Sequence, residues 1–156
     1  MKLNRLRVCE EVSSRLSQLK GRTGITPNIL CRIGFCYSLD DATIPDPDDY
    51  PPDSEREIDR HTLTGQWDRL FVALLKERCR QDNLPLDDEA LAAQFRAHVN
   101  RGVLLLFKRV RSLNELDLLV PQPKFSDGAG GTVTQTSLWS THPNLGPLEP
   151  KSDDLE

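Results

Sequence analysis

The sequence predicts a mainly helical protein that opens on one short strand and closes on an irregular tail. Three observations predict this. Period-two alternation is confined to LNRLRVC at 3–9. Apolar residues recur at helical spacing through most of the next 110 residues. After Leu119 the character changes, with five prolines and four glycines among the last 37 residues and little periodicity. Alternation with period two is a strand signal, and recurrence every three or four residues is a helix signal.

In the opening strand, Leu6 and Val8 share one side and Arg5 and Arg7 the other. A strand this short must find a partner. EEVSSRLSQLK at 10–20 then places Val12, Leu16 and Leu19 on one helical face. Glu10 and Glu11 stand in its first turn and Lys20 in its last, which complements the helix macrodipole. Gly21 offers a stop. A second helix starts at Thr26-Pro27, because threonine caps well and proline loses nothing at the first helical position. Ile29, Leu30, Ile33, Phe35, Cys36 and Tyr37 make it apolar nearly all round. Such a helix expects burial against a partner, another subunit among the candidates.

Residues 40–59, rich in proline and acid, read as an irregular loop. A third helix covers 63–81, with Trp67, Leu70, Phe71, Leu74 and Leu75 as its apolar face. Asp87 caps a fourth, carried by Leu91, Phe95, Val99, Val103, Leu106 and Val110, with Gly102 as a point of kinking or interruption. The expected organisation is one helical domain over 1–119, divided into a strand-helix-helix module at 3–38, the acidic loop at 40–59 and a helical part at 60–119. Residues 120–156 read as a disordered tail with an isolated apolar spot at Leu138-Trp139.

The 156 residues carry a net charge of −4, unevenly spread. Residues 1–38 hold seven Lys/Arg against two Glu, whereas 39–59 hold nine acids against one Arg. A basic module thus stands beside an acidic loop. The longest apolar run, VLLLF at 103–107, is far too short for a membrane span. The opening MKLNRLRV lacks the apolar stretch of a signal peptide, so a cytoplasmic protein without membrane partners is expected. Cys9, Cys31, Cys36 and Cys79 form no C-x-x-C pair and read as reduced, small apolar residues rather than zinc ligands.

Strand, helix, glycine turn and capped helix in under forty residues is the ribbon-helix-helix order, in which two chains pair their first strands and lay the ribbon on DNA. The mouth of a helix carries free N–H groups and partial positive charge, so it attracts anions. Lys20 and Arg22 add full charges there, with Thr23 as a hydroxyl donor. Arg5 and Arg7 lie on the face away from the core, and Arg32 is a further contact candidate. Catalysis has little to work with. There are three histidines, no Walker pattern, no HExxH and no serine-hydrolase elbow. His98 beside Asn100 and Arg101 lacks the carboxylate cluster of a metal nuclease. The acidic loop is too broken by proline for a preformed metal cage. No cofactor, metal or catalytic residue is expected.

Three stretches together resemble the DndE family of bacterial DNA phosphorothioation (sulfur-modification) systems. They are NRLRVCEEVSSRLSQLKGRTGITPNILCRIGFCYSL at 4–39, RHTLTGQWDRLFVALLKER at 60–78 and FRAHVNRG at 95–102. The resemblance covers about 1–119, with no counterpart for the tail, and Gln66 departs from the acidic residue expected there. It implies a non-catalytic, DNA-binding accessory protein, working beside a cysteine desulfurase, an iron–sulfur adenylation-type protein and a chromosome-maintenance-type ATPase. It further implies a dimer or tetramer, binding to duplex or nicked DNA, and a DNA-contact role for Lys20 and Arg22. The rival readings are a sequence-specific repressor, a protein scaffold for the modification complex, and a nickase.

Overall fold

The computed structural model describes residues 1–119, and the expectations placed on 120–156, including Leu138-Trp139, lie outside them. Strand β1 (Arg5–Arg7) leads into α1 (Glu10–Thr23) and α2 (Pro27–Asp40). A 3₁₀ turn at Pro47–Asp49 precedes strand β2 (Glu57–Asp59) and the single helical turn α3 (Arg60–Thr64). Helices α4 (Asp68–Gln81) and α5 (Asp88–Arg109) follow, and a 3₁₀ segment covers Leu113–Leu119.

The strand-helix-helix order stands as the sequence predicts, but the strand finds its partner within the chain. β1 pairs antiparallel with β2 in the register Arg5↔Asp59, Leu6↔Ile58, Arg7↔Glu57. Leu6 and Ile58 face inward as a buried cross-strand pair, and the charged residues face out. The expected pairing of two first strands from two chains is thus not needed to complete this one. Residues 57–59, expected as loop, form a strand because Ile58 alternates between two acids that remain in solvent. The rest of the segment is tied down locally. Ser54 donates its hydroxyl to the Val8 carbonyl (2.6 Å), and the Arg56 guanidinium reaches Ser13 and Ser17.

α5 is the central helix. It starts on the predicted cap, with the Asp87 carboxylate accepting from the N–H groups of Glu89 and Ala90 (both 3.0 Å). It is continuous through Gly102, where interruption was expected. That glycine serves packing instead, because α2 crosses α5 with Gly34 against Gly102. One face of α2 is therefore answered by its own chain, while Ile29 and Cys36 stay exposed. Leu30, Cys31 and Phe35 are fully buried, with the Phe35 ring packed in tilted contact with Phe71 and Phe95 at centroid distances of 5.3 and 5.0 Å.

The expected third helix divides. Gly65, at φ +58°, ends α3, and a 3₁₀ turn carries the chain into α4. Of the predicted apolar face, Phe71 and Leu75 enter the core, while Trp67, Leu70 and Leu74 stay exposed.

Candidate nucleic-acid interface

The turn between α1 and α2 is built by short-range rules. Gly24, not Gly21, closes α1. At φ +73° it turns its N–H back onto the Lys20 carbonyl (2.8 Å), a left-handed position that glycine occupies without strain. Thr23 is buried. Its hydroxyl donates to the Leu19 carbonyl (2.8 Å) and accepts from the Ile25 N–H (3.2 Å), so it secures the helix end. Thr26 is the N-cap of α2 in extended conformation, with Pro27 behind it. Its hydroxyl does not cap, donating instead to the Asn28 side-chain oxygen (2.6 Å). The mouth of α2 is thus left without a side-chain cap.

Lys20 and Arg22 project from this turn into solvent. Neither has a carboxylate partner among the described residues. The Arg22 guanidinium lies 4.6 Å from the ring centre of Phe107 on α5, and Arg15 lies 4.4 Å from the same ring. Cation–π contacts of this kind hold a guanidinium head in place without neutralising it.

The other predicted contact residues are engaged by the fold. Arg5 and Arg7 both reach Glu57 across the small sheet, Arg5 at 3.4 Å and Arg7 through two nitrogens. Those two arginines hold the Glu57 carboxyl below its ordinary range, through hydrogen bonding from Arg7 first. Arg32 donates to the carbonyls of Leu63 (2.5 Å) and Thr62 (3.2 Å), fastening α2 to the end of α3.

The histidine neighbourhood is interior. Asn100 accepts from the Cys9 N–H (2.9 Å) and donates to the Arg96 carbonyl (2.8 Å). Arg101 donates to Ser38 and to both oxygens of Thr43. His98 Nδ1 lies 3.0 Å from the Ser38 hydroxyl, and its Nε2 is buried with no partner among the described residues. Burial first, then Arg101 and Arg78, push His98 down to about 4, so it is neutral at pH 7. Among the described residues, no three His, Cys, Asp or Glu side chains stand together to hold a metal ion. No described helix is long and apolar enough to cross a membrane.

Sequence reasoning passed over the end of α5. Lys108 and Arg109 are exposed there, directly after the Phe107 that carries Arg22 and Arg15. Arg109 lies 5.5 Å from the Tyr37 ring on α2. The available signal was three cations in the four residues 108–111, which local reading assigns to the helix dipole.

A family model described as DNA sulphur modification protein DndE matches residues 5–114. The chain belongs to the DndE family. Among solved structures, the chain is similar to DndE from Escherichia coli B7A involved in DNA phosphorothioation modification, at 32% identity and a TM-score of 0.57. That match covers 68% of this chain and 98% of the other. It is also similar to a DndE mutant in which two glycines are replaced by lysine, involved in DNA phosphorothioation, at 27% identity and a TM-score of 0.54 over the same shares. No curated protein matches. Membership places the chain in the context of DNA sulfur modification, and the described region corresponds to nearly the full length of both family structures.

Proposed function

We propose that this protein is a non-catalytic accessory subunit of the DNA phosphorothioation machinery that binds the backbone of duplex DNA, intact or nicked, as an oligomer in the cytoplasm. One observation carries the reading. Lys20 and Arg22, in the last turn of α1, stand exposed and without an ion-pair partner among the described residues, and α2 begins, with no side-chain cap, four residues after that helix ends. By contrast, Arg32, Arg56, Arg60, Arg78 and Arg101 are all occupied by carbonyls, hydroxyls or carboxylates of the fold. Cations that the fold does not use, beside free N–H groups, are the components of a phosphate contact. No base-reading element enters the proposal, because Arg5 and Arg7 are held by Glu57.

The test is a salt-titrated binding series on intact, nicked and single-stranded DNA of random sequence. Affinity for duplex that falls linearly with salt on logarithmic axes supports backbone binding. No binding at low salt, or a large preference for one promoter sequence, overturns it, the latter in favour of a repressor.

A second reading, a protein scaffold, draws on Trp67, in the 3₁₀ turn before α4, and Leu70 and Leu74 of α4, which are 53%, 50% and 39% exposed. Co-purification with other proteins of the modification system from DNA-free extract, with loss of that association in L70E, would favour it.

A further inference from the structure

We propose that the phosphate-binding surface continues from the α1–α2 turn, across Phe107, to Lys108 and Arg109 at the end of α5, so that the DNA backbone is gripped at two points. The inference rests on reading the turn as a contact for duplex DNA. Arg22 of α1 lies on the Phe107 ring at 4.6 Å, which seats the cationic turn against the last helical turn of α5. The next two residues, Lys108 and Arg109, are both exposed and make no ion pair among the described residues.

The competing account is local: cations in a last turn complement the helix dipole. One observation goes beyond it. Arg109 is drawn to the Tyr37 ring on α2, 5.5 Å from its centre. Two acids of the flanking segments are engaged, while Asp40, one helical turn beyond Tyr37, is exposed and makes no ion pair among the described residues. Glu11 is paired with Arg15 at 3.3 Å, and Glu115 accepts the Arg111 N–H at 2.5 Å. Phe107 and Tyr37 thus hold guanidinium heads on either side of Lys108, with their charge unspent. The chemistry fitted is a repeating anion, the phosphodiester backbone.

The experiment measures binding of the full chain to random-sequence duplex DNA across a salt series. It compares wild type, K20A/R22A, K108A/R109A and the charge-retaining K108R/R109K. The expected result for K108A/R109A is an affinity loss on the order of tenfold at 0.1 M salt. Its salt slope should be shallower by nearly two, at about 0.9 per phosphate contact. K108R/R109K should keep the wild-type slope. An unchanged slope in K108A/R109A, with only a lowered Tm, would assign these cations to the helix end and overturn the proposal. The two readings separate cleanly. Wild type that fails to bind removes both, whereas a flattened slope in K20A/R22A alone removes only the extension.

Discussion

Gly34 of α2 and Gly102 of α5 meet backbone to backbone. A Cβ on Gly34 would sit 2.9 Å from the Gly102 carbonyl carbon and the Val103 nitrogen, and one on Gly102 would overlap the Gly34 carbonyl. The two helices carrying the core approach each other here without any side chain between them. The position of α2 against α5, and with it the setting of the α1–α2 turn, depends on that contact.

Substitution at this contact should oppose helix propensity. Glycine to alanine within a helix ordinarily stabilises by about 0.5–1 kcal/mol. Gly102→Ala should instead destabilise by about 1–3 kcal/mol, because neither backbone can give way cheaply. Thermal unfolding of Gly102→Ala beside Gly21→Ala provides the contrast, since Gly21 has nothing within 4 Å of an added Cβ. A raised Tm in Gly102→Ala would contradict the close approach.

The pair Lys20 and Arg22 should act on DNA binding without acting on folding. Both are exposed. K20A/R22A should leave Tm within a few degrees of wild type and flatten the dependence of affinity on salt by nearly two, at about 0.9 per lost phosphate contact. Filter binding or anisotropy from low to moderate salt reads both the intercept and the slope.

Glu57 should restrain Arg5 and Arg7. Its carboxylate faces both guanidiniums on the outer side of the sheet. Glu57→Gln removes the negative charge and frees two cations for DNA, so affinity should rise several-fold at low salt with a steeper slope. Weaker binding in Glu57→Gln would show that the pair orders the surface rather than masking it.

His98 should make stability depend on acid. Its folded value is lowered to about 4 from an ordinary 6.5, by burial first. Between those two pH values the unfolded chain binds a proton that the folded chain refuses, so stability falls as pH drops from about 6.5 to about 4. At about 1.4 kcal/mol per unit, the loss is on the order of 3 kcal/mol. Urea unfolding at pH 7 and pH 4.5 in wild type and His98→Gln measures it. The variant should lose much of that pH dependence, and equal dependence in the two proteins would assign the acid sensitivity to other groups.

The tertiary structure also explains which predicted contacts differ in character. Thr23 and Arg32 stood as further contact candidates beside Lys20 and Arg22 along the chain. Thr23 closes α1 through the Leu19 carbonyl, and Arg32 ties α2 to Leu63 and Thr62. Lys108 and Arg109 drew no notice along the chain, and they gain interest only because Phe107 and Tyr37 bring guanidiniums of α1 and α5 beside them.

Local chemistry alone determined the strand-helix-helix order, the Thr26-Pro27 start of α2, the Asp87 cap and the core-facing residues of α5. Each depends on groups within one or two turns of one another, and the DndE resemblance was legible from the same stretches. Folding in three dimensions decided that β1 pairs with residues 57–59, that Gly102 admits α2 rather than breaking α5, and that some cations are consumed while others stay free. The first two of those outcomes join residues some fifty or more positions apart, and Arg32 reaches carbonyls about thirty positions away. A residue's charge and propensity are properties of its own stretch of chain, whereas its partner is set by whatever the packed core carries alongside it.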